Sequence, residues 1–391
     1  MSAGPTELLH TGSVPADEWE TPDFEATSTF RLVLRRLRRD PVTLAASLFV
    51  VFIVCAAIFA PWIIRAVGAH PPNEQNTAAL DAFGGPRAPG NGYLFGTDDL
   101  GRDVFSRTLY GARASLEVAL IATALIIAIG VPLGMLSGYY RGPVDTLLSR
   151  LFDVALAFPV LLLALGLGAA CSIGNGCVTV NYHDVGLAIL IAGILVIVVM
   201  NLLALRREAR PQGRARVRQI GLRSLAGLLI ALAGVWLVVS GRSHGALIQP
   251  GIPVVIFILT LAGVPYMGRI IRGQVLSLRE RDFIEAERAL GASNSRILFA
   301  HVLPNLIGPI IVYATILIPQ NILLEAALSF LGIGVQPPTA DWGAMIASAV
   351  SLFQVAWWYM TFPGLGLLVT VLAFNLLGDG LQDALMPREG R

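Results

Sequence analysis

Long uninterrupted apolar runs constrain this chain more than any other feature. A helix needs about 20 mostly apolar residues to cross a hydrocarbon core about 30 Å thick. Stretches near 42–64, 116–138, 151–170, 185–205, 221–240, 252–268, 306–331 and 361–381 meet or approach that length. The fifth begins close to Arg223 and the sixth is short. Inside lipid every backbone polar group must be satisfied internally, and runs of this length do so as helices. The expected fold is all-α, a polytopic membrane helical bundle of about eight spans.

Composition agrees with that reading. Of the residues, 55% are hydrophobic and only 14% are charged, against about 25% charged in soluble domains. A soluble enzyme and a disordered chain are both excluded on this ground. A net charge of +2 offers no field for nucleic acid. Every basic residue is Arg. A P-loop needs a Lys on the phosphates, so no ordinary ATP site is expected in this chain. His10, His70, His183, His244 and His301 show no metal-ligand spacing. No catalytic residue, metal site or bound cofactor is expected.

Arg placement sets the expected orientation. Arg31, Arg35, Arg36, Arg38 and Arg39 precede the first span and predict a cytoplasmic N-terminus. With eight spans the C-terminus is cytoplasmic too, as are 206–220 and 269–305. Residues 1–30 are acidic and polar, lack the apolar core of a cleaved signal peptide, and read as a flexible cytoplasmic tail. Residues 31–113 then hold the first span and an extracytoplasmic loop, and 114–388 the remaining membrane domain. Cys171 and Cys177 fall in an outward loop, where they form a disulfide or stand as two unpaired small residues. Cys55, inside the first span, reads as packing. Trp342, Trp357 and Trp358 read as part of an outer rim, with interface anchoring the plain explanation.

Ionisable residues near the membrane are few. Asp153 follows Arg150 by one turn and reads as its ion-pair partner. Glu325 lies deep in the seventh span, with Asn321 one turn before it. The carboxylate either faces a cavity or another helix, or already reaches the outer interface. Both residues are candidates for a translocation path. Pro132, Pro309, Pro319 and Pro363 are expected to interrupt helices.

The most informative segment is 269–305. It is too polar to insert and too patterned for a linker. Phe283, Ala286 and Leu290, then Ile297, Leu298 and Val302, predict two short helices lying flat below the membrane. Gly291 stands where the first should stop. Ser293 or Asn294 can cap the second, and Pro304 is expected to end the piece.

Glu285-Ala286-Glu287-Arg288-Ala289-Leu290-Gly291, continuing to His301-Val302-Leu303-Pro304, resembles the EAA loop of ABC importer permeases. The family pattern usually has Ala where this chain has Glu287. Phe95-Gly-Thr-Asp-Asp-Leu-Gly-Arg-Asp-Val-Phe-Ser-Arg107 and Tyr110-Gly-Ala-Arg113 are similar to the segment before the second span of dipeptide/oligopeptide permease C-type subunits. Glu325–Pro338, Asp341-Trp342-Gly343, Phe374–Leu381 and Arg31–Asp40 are similar to that family as well. The likeness covers roughly 31–170 and 252–388. The departure is 171–251, where a helical hairpin around an Arg-rich turn, Arg206 to Arg223, expands an outward loop of the usual six-span core.

The resemblance implies a type I importer permease in the bacterial cytoplasmic membrane. It implies a homologous B-type permease, two ATPase subunits that carry ATP and Mg, an extracytoplasmic substrate-binding protein, and a peptide as cargo. Glu285, Ala286 and Gly291 would dock on an ATPase. Arg288 and Arg296 would pair with it or form a solvated face. Nickel–chelate importers share these motifs. A secondary transporter is the reading from another class; it would show internal repeats and mid-membrane charges, and no convincing repeat is found.

Overall fold

A computed structural model describes residues 40–173, 178–180, 245–248 and 251–385. The acidic tail, the basic segment 31–39, the expected spans 185–205 and 221–240, the Arg206–Arg223 turn and Cys177 lie outside the described residues, and so does the Cys171 side chain.

Helix α1 (Pro41–Ile58) starts where the sequence provides a start. Asp40 caps it, accepting from the Val42 and Thr43 amides, and Pro41 takes the first turn. Helix α2 (Ala60–Val67) follows a break at Phe59 and stops at Gly68 in the left-handed region. Residues 68–103 then form an irregular cap. Helix α3 (Val104–Tyr139) has 36 residues, so it is about 54 Å long and outruns a hydrocarbon core of about 30 Å. Asp103 caps it, and burial pushes this carboxyl above its usual range, against the amides of His70 and Phe105, which favour its charged form.

The expected third span is not one straight helix. Helices α4 (Pro143–Ala157) and α5 (Val160–Ile173) meet at an angle of 75°. Pro159 explains the break: the residue before a proline is pushed out of the helical region, and Phe158 is extended at ψ 125°. Strand β1 (Val178–Val180) pairs antiparallel with β2 (Gly245–Ile248), Val180 opposite Gly245. This short ribbon is an addition to the otherwise helical bundle that apolar periodicity does not reveal.

Helix α6 (Ile252–Leu278) leads to the short α7 (Asp282–Ala289). Helix α8 (Asn294–Phe330) is continuous over 37 residues. Pro304 does not end its first piece, contrary to expectation. Residues 297–302 form a π turn just before it, and that wider register precedes a residue that has no N–H to donate. Pro132, Pro309, Pro319 and Pro363 likewise lie inside helices that continue. Helix α9 (Trp342–Ala349) is capped by Asp341, and α10 (Trp357–Leu385) closes the described chain. Among the described residues, five helices are long and apolar enough to cross a membrane, or six when α4 and α5 count as one broken span.

The most extensive packing is α3 against α6. Gly130, Gly134 and Gly138 sit four residues apart on α3 and face Met267, Gly268, Ile271 and Val275 of α6. A β-carbon at Gly134 would lie 2.5 Å from the Gly268 carbonyl oxygen. Small residues at this spacing let two backbones approach. On the same helix Gly268 accepts the Phe152 ring of α4. Arg272 fastens α4 further, donating to both oxygens of Asp145 at 2.6 and 3.0 Å. Asp153 pairs with Arg269 rather than with Arg150, because α4 lies along α6. Large apolar side chains on α1, such as Leu48 and Phe52, are exposed, as expected of a lipid-facing helix. Cys55 is exposed on that same helix and is not a packing residue.

The cap is tied down by charge. Asp98 is fully buried and accepts from Arg102 Nε at 2.6 Å, with Arg107 Nε 3.5 Å away. Arg107 also donates to the Pro72 carbonyl at 3.0 Å, and Trp358 Nε1 donates to the Thr97 carbonyl at 3.2 Å. Trp342 and Trp358 are therefore core residues, and of the three expected rim tryptophans only Trp357 is exposed. The bundle has two distinct ends, one carrying the cap 68–103 and the other carrying 279–302.

Candidate functional site

At the second end, α7 stands off the bundle on a single buried anchor. Ile284 is fully buried in a cluster with Met135, Val275, Ile297 and Val302. Phe283 and Leu290, part of the apolar pattern that predicts the helix, are 42% and 83% exposed. Glu285, Ala286 and Ala289 are exposed beside them. The apolar periodicity was shared between two faces of a short helix. Ile284 takes the interior, and Phe283, Ala286 and Leu290 are left on the outside.

The turn after α7 is built as its sequence requires. Gly291 has φ +80°, a region costly for any residue with a β-carbon. Its amide donates to the Arg288 carbonyl, and the Ala292 amide donates to the Glu287 carbonyl, both at 3.0 Å. These two bonds are the paired C-terminal motif that ends helices at glycine. Ser293 then caps α8, accepting from the Arg296 amide. Gly291 thus redirects the chain within three residues, and Arg296 is exposed on the far side of the turn.

Two of the charged side chains, Arg288 and Glu287, find partners within the chain. Arg288 lies over the Tyr139 ring, 5.4 Å from its centroid. Glu287 Oε1 is 3.4 Å from His301 Nε2, so the residue that departs from the family's usual Ala bridges α7 to α8. That bridge is about a quarter exposed on both sides, and such pairs contribute little. Glu287→Ala is expected to lower stability by no more than about 1 kcal/mol, measured as the thermal unfolding midpoint in detergent.

Asn321 and Glu325, the candidates for a path, are buried against helices of the same chain. Asn321 Nδ2 donates to Thr123 Oγ1 of α3 at 2.9 Å. Glu325 is fully buried and accepts from Ser329 Oγ at 2.9 Å. It faces Asp341 and Ser115 as well, so of its two alternatives the structure shows a carboxylate turned toward other helices. Neither residue borders an open channel among the described residues of the single chain. Sequence spacing missed Tyr139, Ile284 and Ser115, which no motif singles out. No group of three His, Cys, Asp or Glu able to hold a metal occurs among the described residues.

A multi-pass helical bundle with a short helix displayed at one end and a tethered cap at the other is the architecture of a polytopic membrane protein, and the chain's likeness to known proteins gives its class. Residues 130–391 match the family model of the binding-protein-dependent transport system inner membrane component. Residues 28–89 match the N-terminal membrane domain of oligopeptide transport permease C. The chain is 33% identical over 365 residues to the dipeptide transport system permease protein of Alkalihalophilus pseudofirmus, covering 93% of this chain and 92% of that one. It is 33% identical to a putative peptide transport system permease protein of Brucella abortus, over 91% of each chain. It is 34% identical to the glutathione transport system permease protein of Escherichia coli, over 90% of this chain and 89% of that one. The chain belongs to the family of binding-protein-dependent transport system inner membrane components. Within it the chain is a C-type permease subunit.

Proposed function

We propose that this chain is one membrane-spanning half of an ATP-driven importer of di- and oligopeptides. It pairs with a homologous B-type permease, and two separate ATPase subunits sit beneath the pair. The chain carries no catalytic group of its own. The end bearing α7 faces the cytoplasm, together with both termini, and the cap faces outward toward a substrate-binding protein. The peptide assignment draws on the dipeptide, peptide and glutathione permeases to which the chain is similar.

The observation that carries the coupling role is the display of α7. Phe283, Ala286 and Leu290 are exposed at a helix whose one buried side chain is Ile284. Unpartnered apolar surface of this kind marks a contact site, and an ATPase groove is its occupant in this reading. Glu285 stands in the first turn of α7, where its charge favours the helix dipole and marks the edge of the contact. Glu285, Ala286 and Gly291 shape the docking surface, with Arg296 beside it. Arg288 holds the surface to Tyr139.

Purification of the complex tests this reading. The chain is expected to retain its ATPase in detergent, and Glu285→Arg to reduce that retention severalfold, because a long cation replaces a short anion at the contact edge. Proteoliposomes holding the complete complex should take up labelled di- and tripeptides only with ATP. A complex that accumulates peptides on an ion gradient without ATP would end the proposal.

A further inference from the structure

Tyr139 is the last residue of α3, and it touches both halves of the displayed hairpin. Its hydroxyl donates to Asn294 Oδ1 at 3.0 Å, in the first turn of α8. Its ring lies under the Arg288 guanidinium, 5.4 Å from centroid to carbon, in the last turn of α7. The side chain is only 7% exposed and belongs to the same apolar cluster as Ile284. One residue back, the Gly138 carbonyl accepts from Arg279 Nη1 at 2.8 Å, just ahead of α7. The end of α3 is thus fastened before, within and after α7.

The other end of α3 is fastened as firmly. Trp342 Nε1 donates to the Thr108 carbonyl at 3.0 Å. Ser115 Oγ donates to Asp341 Oδ1 at 3.4 Å, and both side chains are fully buried. Asp341 caps α9, and Asp103 caps α3 itself where the cap begins. One helix about 54 Å long therefore has its first turns locked to the cap end and its last residue locked to α7.

We propose that Tyr139 is the positioning residue through which displacement of α7 is passed to α3 and so to the cap end of the bundle. This rests on the docking role given to α7. Packed helices move as bodies between discrete arrangements, and a two-point clasp at a helix end is what makes such a body follow. Loss of the clasp leaves the ATPase bound and turning over while α3 no longer follows.

The test uses the complete complex in proteoliposomes, with a labelled mixture of di- and tripeptides as the probe. Tyr139→Leu removes ring and hydroxyl, Tyr139→Phe only the hydroxyl, and Glu285→Arg serves as the docking variant. ATP hydrolysis, ATPase retention, unfolding midpoint and peptide taken up per ATP are read together. Tyr139→Leu is expected to keep hydrolysis within twofold of the unmodified complex and to lose at least fivefold in uptake per ATP. Tyr139→Phe is expected to lose about twofold in that ratio, and it carries the test if Tyr139→Leu does not assemble. An unchanged ratio in the variants, with Glu285→Arg shedding its ATPase, overturns the role of Tyr139 alone. Hydrolysis and uptake falling in proportion with the unfolding midpoint also overturns it, because that is ordinary packing. Glu285→Arg retaining both its ATPase and full uptake overturns the docking reading, and this proposal with it.

Discussion

Replacing Gly291 by proline is expected to reduce ATP-driven peptide uptake to background while the chain still inserts and folds. Proline fixes φ near −65°, and Gly291 needs +80°. The substitution also removes the amide that donates to the Arg288 carbonyl, and rotating the turn breaks the Ala292 bond to the Glu287 carbonyl. The strain and lost bonds together cost roughly 3 kcal/mol or more. That cost falls on α7 alone. A side chain at 291 meets nothing within 4 Å, and the helices that carry the fold pack elsewhere. The unfolding midpoint of the bundle should move by only a few degrees, and the ATPase should be lost on purification. Gly291→Ala serves as the graded case. It keeps the amide and pays only the left-handed penalty of about 1–2 kcal/mol, so it should retain part of the uptake. Normal uptake and normal ATP turnover in the proline variant would show that the contact lies elsewhere.

How much of this was legible beforehand depended on the physical signal involved. Length and apolarity located α1, α3, α6, α8 and α10, because a bilayer demands long apolar helices whatever their tertiary contacts. The cap at Gly291 and the cap at Ser293 were legible because helix ends are local. The break at Pro159 was written in the sequence too, but a hydropathy reading averages over it. Facing was not legible for short elements. Eight residues of α7 give two turns, and periodicity alone cannot say whether Ile284 or Phe283 points inward. Trp342 and Trp358 read as rim residues by type. The structure buries them because the Thr108 and Thr97 carbonyls accept their indole N–H groups. The partners of Asp153 and Glu287 lie on other elements, where sequence spacing has no reach, and so do Asp341 and Ser115, which Glu325 faces besides Ser329 of its own helix.

Gly134→Leu is expected to destabilise the described bundle severely. The seam between α3 and α6 runs through Gly130, Gly134 and Gly138, and at its middle the neighbours are a backbone oxygen and a β-branched side chain. A β-carbon at 134 would sit 2.5 Å from the Gly268 carbonyl oxygen and 2.8 Å from Ile271 Cβ. Neither can rotate away, because Gly268 is itself pressed by the Phe152 ring on its other side. Overpacking of a tight core usually costs about 1–3 kcal/mol. Here the helices must separate along their whole contact, so the cost should lie at or above the top of that range. Separation also pulls α4 away, since Phe152 and Asp145 are seated on α6. The expected result is a sharp fall in the yield of folded chain, with an unfolding midpoint lowered well beyond that of Gly308→Ala. Gly308 is the informative contrast. It lies within α8, nothing stands within 4 Å of its β-carbon position, and alanine there gains helix propensity of up to about 1 kcal/mol. If both variants unfold at the same temperature as the unmodified chain, close approach of α3 and α6 is not what holds this bundle together.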